Sequence, residues 1–474
     1  MNIYDFLIMR HELVLVIIAL VVLIIDLGLK PAQKRHIIPV AVTLFIIHTI
    51  IGFLPSSGGI LFGGMFHSSP LLVMMKNVLN IGVLIILLQS YSWLIKPENK
   101  EKMSEYFVIM FFTLTGMYFM ISAGDFLMFY LGLETASIPI AALAAYMHHR
   151  TKSAEAGVKY ILSSALSSGI LLFGLSLIYG TTGSILFSDI AFSITDSPLQ
   201  IFALIFFISG MAFKISLVPF QLWTADVYEG APTNVTSYLS VISKGAASFV
   251  FMLILFKVFF PVMEVWRDIL YTLSIATMII GNLFALRQKN MKRFLAFSSI
   301  AQAGFILLGI MVGSKLGMTS VIYFILTYIF SNLGAFGVVS AIENASGKLS
   351  MDDYNGLYKT NPKLSLLMML SVFSLAGIPP VAGFFGKFFL FTSAASAGLY
   401  WLVFIAILNA TISLYYYLLV VKAMFINKNE TPIPAFKTDL PARAGLILSA
   451  LGIFILGFWS QVYEWINNLT VGIF

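Results

Sequence analysis

The chain has 474 residues, of which 59% are hydrophobic and only 10% are charged, and its formal net charge is +7. Because a soluble domain carries about 25% charged residues, this composition excludes a soluble globular protein and predicts an integral membrane protein. The absence of cysteine excludes disulfides, thiolate-bound iron–sulfur clusters and cysteine-rich zinc sites. The six histidines lack metal-ligand spacing, and no phosphate-binding glycine motif occurs.

Long apolar runs recur along the chain, and each is long enough to cross a bilayer, which takes about 20 residues. They predict an all-α membrane protein with fourteen transmembrane helices, of which the seventh and the twelfth are long or broken. The predicted spans are residues 13–29, 36–54, 70–95, 104–122, 125–147, 153–179, 198–223, 233–260, 266–286, 293–312, 318–342, 362–396, 399–425 and 443–466.

The basic residues provide an independent test of this count. Twenty of the 28 lysines and arginines fall on one side of the predicted membrane, against four on the other: Arg10, Lys257, Arg267 and Lys315. By the positive-inside rule, the basic side is cytoplasmic. We therefore expect a multi-pass membrane protein, surrounded by lipid, with both termini on the non-cytoplasmic side. The net charge of +7 then reflects topology and indicates no nucleic-acid partner.

The remaining four lysines fall inside predicted spans. Lys76 lies only about two turns from an outer boundary, so we expect its side chain to snorkel to the surface. Lys214, Lys244 and Lys387 lie deeper, where a lysine costs about 2.5–3.5 kcal/mol on insertion scales, and this cost favours functional roles for them. Glu134 is the one acid near the middle of a predicted span, and Lys214 is the partner we expect for it. Solvated or helix-capping roles are expected for three acids at span ends: Asp26, Asp125 and Glu343.

Prolines interrupt two of the predicted spans. Pro219 removes a backbone donor from the seventh span, and Pro379 with Pro380 does so in the twelfth. Each break lies within about two turns of a buried lysine, and discontinuous helices mark the ion site in many transporters. A kink used only for packing is the alternative at either place, but it is less plausible at two such sites.

The two broken spans also indicate an internal repeat. Lys214 and Lys387 are 173 residues and five spans apart, which predicts that spans four to eight (104–260) recur as spans nine to thirteen (266–425). Because five is odd, the second copy is inverted. Three N-terminal helices (13–95) precede the copies and one C-terminal helix (443–466) follows, in a single membrane domain. Inverted repeats with broken helices are typical of transporters. The copies have diverged, since the tenth span offers Gln302 and no acid to match Glu134.

Two motifs carry a resemblance to a known family. They are Lys214-Ile-Ser-Leu-Val-Pro-Phe-Gln-Leu-Trp-Thr-Ala-Asp-Val-Tyr-Glu-Gly-Ala-Pro-Thr, followed by Lys244, and Ala376-Gly-Ile-Pro-Pro-Val-Ala-Gly-Phe-Phe-Gly-Lys387-Phe. Together they closely resemble the subunit N family of bacterial NADH–quinone oxidoreductase, respiratory complex I, and the resemblance covers nearly the whole chain. Related antiporter subunits tend to have Pro-Leu-His-x-Trp-Leu-Pro-Asp-Ala in place of the form found here.

This resemblance implies a proton-translocating membrane subunit, driven by electron transfer from NADH to quinone in other subunits. Glu134 and Lys214 would form the charge pair of the input half, Lys244 the central relay and Lys387 the output-side proton carrier. Gln221 and Gln302 stand where a histidine is frequent in the family, so they could only hydrogen-bond water in the path. No cofactor is expected in this chain; NADH, FMN, iron–sulfur clusters and quinone would bind other subunits. The expected partners are antiporter-like neighbours and small membrane subunits of the complex.

Two other functions remain open. The chain could belong to a multisubunit Na⁺/H⁺ antiporter without redox coupling, although the motif from Trp223 to Tyr228 disfavours this. It could also be a scaffold that binds partners without moving ions, although three buried lysines argue against that because an idle scaffold gains nothing from their insertion cost. Direct quinone reduction by this chain is the weakest possibility, since nothing in the sequence supplies electrons.

Overall fold

The computed structural model describes residues 3–55 and 58–470, without the side chains of residues 3–5, 31 and 32. Within these ranges, thirteen helices are long and apolar enough to cross a membrane. They are Arg10–Gly28, Gln33–Gly52, Pro70–Leu94, Lys100–Ser122, Phe126–Ala144, Thr151–Thr182, Pro198–Ile215, Thr233–Lys257, Phe260–Ala285, Met291–Met311, Lys315–Ser346, Tyr400–Phe425 and Leu440–Phe458. A short antiparallel hairpin, Gly59–Leu61 with Phe66–Ser68, joins the second and third of them. The predicted all-α membrane fold is confirmed.

Each of these thirteen helices coincides with one predicted span. The remaining prediction, the broken span at 362–396, is occupied by two shorter helices, Pro362–Ala376 and Ala382–Ser396. The seventh span is broken as well: its helix ends at Ile215, and a separate helix, Leu222–Gly230, follows Pro219.

The predicted last span was too long. Its helix ends at Phe458, and Gln461–Leu469 forms a separate amphipathic helix. Trp459 has extended backbone angles, which interrupt the helix. Apolar residues on one face of the following helix, such as Trp465 and Ile466, had prolonged the hydrophobic run in the sequence.

The described chain divides into two compact units, and the first comprises Met1–Leu84, Trp93–Lys214 and Ser243–Trp266. Its central helix is Met103–Ser122, which packs against Arg10–Gly28, Phe126–Ala144 and Lys244–Lys257. Glycine permits the closest of these contacts, because a Cβ atom at Gly116 would lie 2.4 Å from the backbone nitrogen of Ala136. Small residues allow close helix packing in membranes in this way.

The second unit comprises Ile85–Ser92, Ile215–Ile242 and Arg267–Phe474. Its centre is the long helix Lys315–Ser346, most of whose residues are buried. Around this helix pack Met291–Met311, both halves of the broken twelfth span and Leu440–Phe458. Both half-helices beside the break in the twelfth span therefore pack against the central, largely buried helix of their unit.

Matching local features occur once in each unit at a nearly constant spacing. The helices Thr151–Thr182 and Lys315–Ser346 both have 32 residues and both end at a left-handed glycine, Gly183 or Gly347, 164 residues apart.

The helices that precede them also begin alike. Asp125 and Asn290, 165 residues apart, each accept a backbone N–H at the start of a helix. Each also forms an isolated antiparallel bridge, Asp125 with Leu186 and Asn290 with Ser350. The capping role expected for Asp125 is confirmed, and these correspondences support the proposal of a five-span repeat.

Candidate functional site

Lys214 lies at the end of the helix Pro198–Ile215 and is only 6% exposed. Its ammonium group donates hydrogen bonds to Ser137 Oγ at 2.5 Å and to Ser164 Oγ at 2.8 Å. The ring of Tyr160 lies 5.9 Å from the nitrogen. Two neighbouring helices, Phe126–Ala144 and Thr151–Thr182, thus contact the charged group. Its direct hydrogen-bond acceptors are neutral hydroxyl oxygens.

Glu134 lies one turn before Ser137 on the helix Phe126–Ala144, so both side chains share one face. The residue is half-buried, and its Oε1 atom has no hydrogen-bond partner among the described residues. Its carboxylate interacts electrostatically with Lys214, yet no ion pair within 4 Å joins the two in the described part of the chain. The structure therefore places Ser137, rather than Glu134, in direct contact with the lysine.

Lys244 is 4% exposed and begins the helix Lys244–Lys257. The five residues before it, Leu239–Ser243, form a π-helical segment in the middle of the eighth span. Nothing in the local sequence predicts this segment, because no proline or paired glycine marks it. Single π-helical turns inside α-helices are frequent at functional sites, so the buried lysine follows an irregularity of a type associated with function.

Lys387 lies just after the break in the twelfth span and is 4% exposed. Its ammonium donates hydrogen bonds to the backbone oxygens of Leu375 at 2.9 Å and Ala376 at 3.0 Å. The last carbonyls of a helix have no intrahelical donor and carry partial negative charge. Lys387 therefore supplies donors to the end of the helix Pro362–Ala376. The ring of Phe305 lies 4.8 Å from its nitrogen.

A small cavity adjoins Lys387. Its polar lining includes Gln302, Thr327, Ser331 and Ser374. The space for the centre of a water molecule is about 10 Å³, which is close to what one buried water needs. Gln302 donates a hydrogen bond to the carbonyl of Leu375 at 3.1 Å, so it contacts the same helix end as Lys387. The role predicted for Gln302, a hydrogen bond to water in the path, stays a prediction, and the cavity that Gln302 lines has space for about one water.

At the break beside Pro219, side-chain hydroxyl groups provide the hydrogen-bond partners. The backbone N–H of Val218 donates to Thr277 Oγ1 at 3.0 Å, and the hydroxyl of Thr224 donates to Ser216 Oγ at 2.8 Å. Unwound backbone at membrane depth needs such partners. Gln221 is buried here, and its side-chain oxygen has no partner among the described residues.

One buried ion pair was missed from the sequence. The expectation that Lys76 snorkels is wrong, because Lys76 is 1% exposed and its ammonium lies 2.5 Å from Glu12 Oε1. Glu12 is also 1% exposed. The predicted first span began at residue 13, so Glu12 was counted outside the membrane, whereas the helix begins at Arg10. Since 64 positions separate the partners, no local pattern could have joined them.

The predicted site residues thus fall into two groups. The first unit contains Glu134, Lys214 and Lys244, and the second contains Pro219, Gln302, Pro379, Pro380 and Lys387. Lys214 and Lys387 each belong to a broken span, and each donates hydrogen bonds to uncharged oxygens. The assignment of these residues to one proton relay stays a prediction.

Many helical spans, two broken helices and buried lysines beside the breaks define an antiporter-like membrane protein. Residues 123–413 match the family model described as NADH:quinone oxidoreductase/Mrp antiporter, TM. The chain is 51% identical over 472 residues to NADH-quinone oxidoreductase subunit N of Phocaeicola vulgatus, covering 99% of this chain and 100% of that protein. The chain therefore belongs to this family, and the resemblance predicted from its sequence is confirmed.

Solved structures show the same fold. A chain of respiratory complex I from Thermus thermophilus with bound aureothin matches with a TM-score of 0.82 and 28% identity, over 96% of this chain and 98% of that one. A chain of the Mrp complex from Dietzia sp. DQ12-45-1b matches with a TM-score of 0.85 and 21% identity, over 100% and 98% of the two chains. Because only 21% of the residues are identical, the similarity to the Mrp chain shows a shared fold and nothing about function.

Proposed function

We propose that this chain is a proton-translocating membrane subunit of an NADH–quinone oxidoreductase. Relatives that are 51% and 50% identical to it carry that name. The model of its family is described as covering NADH:quinone oxidoreductase and Mrp antiporter proteins. NADH, FMN, iron–sulfur clusters and quinone bind other subunits of the complex. Among the described residues, no group of three or more potential metal-binding side chains occurs. The partners are neighbouring antiporter-like and small membrane subunits, with lipid around the spans.

The observation that carries this proposal is the way in which two buried lysines are held. Lys214 donates to two serine hydroxyls and Lys387 to two backbone carbonyls. A buried ammonium without a directly bound carboxylate loses its proton more readily than one in an ion pair. Such lysines can bind and release protons, whereas structural lysines are expected to stay charged in direct pairs with acids.

In the mechanism, redox events in neighbouring subunits shift the interaction between Glu134 and Lys214. When the carboxylate draws close, the lysine holds its proton; when it withdraws, the ammonium gives the proton up and becomes a neutral amine. The proton passes through Lys244 and water to Lys387, and Lys214 is reprotonated from the input side. One proton enters and one leaves. Moving one charge against a membrane potential of 100 mV costs about 2.3 kcal/mol. One contact between the carboxylate and the ammonium is worth about 4 kcal/mol, which is enough to drive the step.

We place the twenty basic loop residues on the cytoplasmic face of the bacterial inner membrane. Both ends of the chain then lie on the other face, as the even number of spans requires. Protons enter from the basic face and leave on the opposite one.

The proposal is tested by replacing Lys214 with alanine in the assembled complex. Loss of a proton-carrying group typically costs about 10²–10⁴-fold in rate, so we expect proton translocation and coupled quinone reduction to fall at least about tenfold. Glu134→Ala should also lower both, because the switching charge is gone. Both activities are measured with the purified complex in liposomes, with subunit composition checked for each variant.

Lys159→Ala provides the matched control, since this exposed lysine pairs with Glu155 on the outside of a span and should leave both activities unchanged. Wild-type pumping by fully assembled Lys214→Ala and Glu134→Ala complexes would favour a scaffold without ion transport. A requirement for Na⁺, with no NADH-dependent activity, would favour the antiporter subunit instead.

A further inference from the structure

A large cavity lies in the second unit, where two of its spans begin. Its volume is about 660 Å³, within the usual range for ligand pockets of about 300–1,000 Å³. It lies between the beginnings of the helices Pro362–Ala376 and Leu440–Phe458, which pack against each other, and the irregular segment 426–439 that joins the last two spans. Both helices begin on the face of the basic loops, because they belong to the twelfth and fourteenth spans. We call this space the basic-face cavity.

Hydrogen bonds from both helices fix the irregular segment over the cavity. Asn361, at the start of the first helix, is only 6% exposed. Its side-chain nitrogen donates to the carbonyl of Pro434 at 3.1 Å, and its side-chain oxygen accepts the N–H of Phe436 at 3.3 Å. From the second helix, the guanidinium of Arg443 donates to the carbonyl of Thr438 at 3.1 Å. The cavity is therefore bounded by hydrogen-bonded protein rather than by a loose loop.

Three basic side chains line the outer part of the cavity. Lys363, Lys437 and Arg443 are all exposed. No acid lines the cavity, and none of the three forms an ion pair within 4 Å in the described part of the chain. Asp439, the nearest acid along the chain, is exposed and lies outside the lining. An arginine fork fits a phosphate group with two parallel hydrogen bonds, and lysine binds phosphate as a point charge. These side chains therefore favour an anionic phosphate group.

The deeper part of the cavity is apolar. It is lined by Leu364 and Leu367 from the first helix and by Leu446, Ile447 and Ala450 from the second. The last of these residues follows the arginine by seven positions, which places it about 10 Å further along the helix at a rise of 1.5 Å per residue. The lining thus changes from charged to apolar in the direction that leads from the membrane surface into the hydrocarbon.

We propose that the basic-face cavity binds an anionic phospholipid. Its phosphate group lies among Lys363, Lys437 and Arg443, and an acyl chain follows the apolar wall past Ile447. Basic pockets at the ends of membrane helices recognise anionic lipid head groups in this way. This ligand site is separate from the proton relay, because none of the relay residues lines the cavity.

Two other occupants fit the lining less well. A free phosphate ion would use only the outer part of the cavity and leave the apolar wall without a partner. A peptide segment from another subunit would bring backbone N–H and C=O groups against the apolar wall, which has no side chain that could pair with them. An acyl chain has no such groups, so the combination of charged rim and apolar wall favours a lipid.

A photoreactive side chain in the cavity identifies its occupant. A diazirine-bearing amino acid replaces Ile447, and the purified complex is placed in vesicles of phosphatidylcholine with a minor fraction of phosphatidylglycerol. After illumination, the mass of this chain shows which lipid has been attached. One basic residue near the membrane changes the binding of an anionic lipid about fivefold. We therefore expect phosphatidylglycerol to be attached at least about fivefold more often than its share of the vesicle.

Leu418 provides the matched control position. It lies seven residues from the end of the helix Tyr400–Phe425, as Ile447 lies seven residues from the start of its own helix, and both ends are on the basic face. Leu418 is 41% exposed and does not line the cavity. The same photoreactive amino acid at this position should be attached to the two phospholipids in proportion to their amounts.

Charge variants show whether the basic residues select the lipid. Lys437→Gln combined with Arg443→Gln removes two of the three charges at exposed positions, where substitutions rarely disturb folding. The enrichment of phosphatidylglycerol at position 447 should then fall at least about fivefold. Lys437→Arg combined with Arg443→Lys exchanges the two residues without loss of charge and should keep the enrichment.

The other outcomes overturn the proposal. Attachment in proportion to the vesicle composition at position 447 would mean that the cavity does not select anionic lipid. Attachment to a neighbouring subunit would assign the cavity to a protein interface. If inorganic phosphate abolishes the enrichment while chloride at the same ionic strength does not, the basic residues form a site for a soluble anion. An enrichment that persists in the glutamine variant would show that these charges do not bind the head group.

Discussion

Replacing Lys387 by methionine should reduce proton translocation by the assembled complex at least about tenfold, as expected for a proton-carrying group. Methionine approximates the length of the lysine chain but can neither carry a proton nor donate to the carbonyls of Leu375 and Ala376. The carbonyl of Ala376 then loses its side-chain donor, whereas that of Leu375 keeps the hydrogen bond from Gln302. One buried acceptor left unsatisfied costs about 1–3 kcal/mol of stability. Proton uptake by liposomes that contain the purified complex measures the first effect, and thermal denaturation of the complex measures the second.

Lys387→Arg separates the two roles of this lysine. Arginine can still donate to the two carbonyls, so stability should return toward the wild-type value. It does not release its proton, so translocation should stay low. Restored translocation in the arginine variant would mean that Lys387 serves only to cap the broken helix. Lys359→Met, at an exposed position shortly before the same span, is the control and should change neither property.

The sequence predicts most of this architecture because the bilayer imposes simple rules. Each span requires a long apolar run, and Pro219, Pro379 and Pro380 remove donors that a regular helix needs. The cost of a buried charge likewise selects Lys214, Lys244 and Lys387 from a chain with many lysines. These signals are local, and they identify the deep lysines and both breaks before any contact is known.

The partners of those lysines could not be predicted. Ser137 and Ser164 are ordinary helix residues in sequence, and only the packing of three helices brings their hydroxyls to Lys214. The contact of Lys76 with Glu12 likewise depends on packing across 64 positions. Charge alone led to the expectation of a pair between Glu134 and Lys214, whereas hydroxyl groups occupy the direct contacts.

Gly383→Ala should prevent assembly of the broken twelfth span. A Cβ atom at this position would lie 1.8 Å from the carbonyl oxygen of Ser374 and 2.6 Å from its carbonyl carbon. Both are backbone atoms, so no side-chain rotation can relieve the clash. The helices Pro362–Ala376 and Ala382–Ser396 must move apart, at a cost of about 3 kcal/mol or more, the upper part of the range for overpacking.

That movement would also remove the carbonyl acceptors of Lys387, because Leu375 directly follows Ser374. We therefore expect little of the Gly383→Ala chain in the assembled complex, as measured by the amount of complex recovered from membranes. Gly169→Ala is the matched control, since a Cβ there meets no atom within 4 Å and alanine favours a helix by about 1 kcal/mol over glycine. Normal recovery and normal pumping of the Gly383→Ala complex would show that the two half-helices can separate without loss of the site. The close approach at Gly383 would then not be what fixes Lys387 against the helix end.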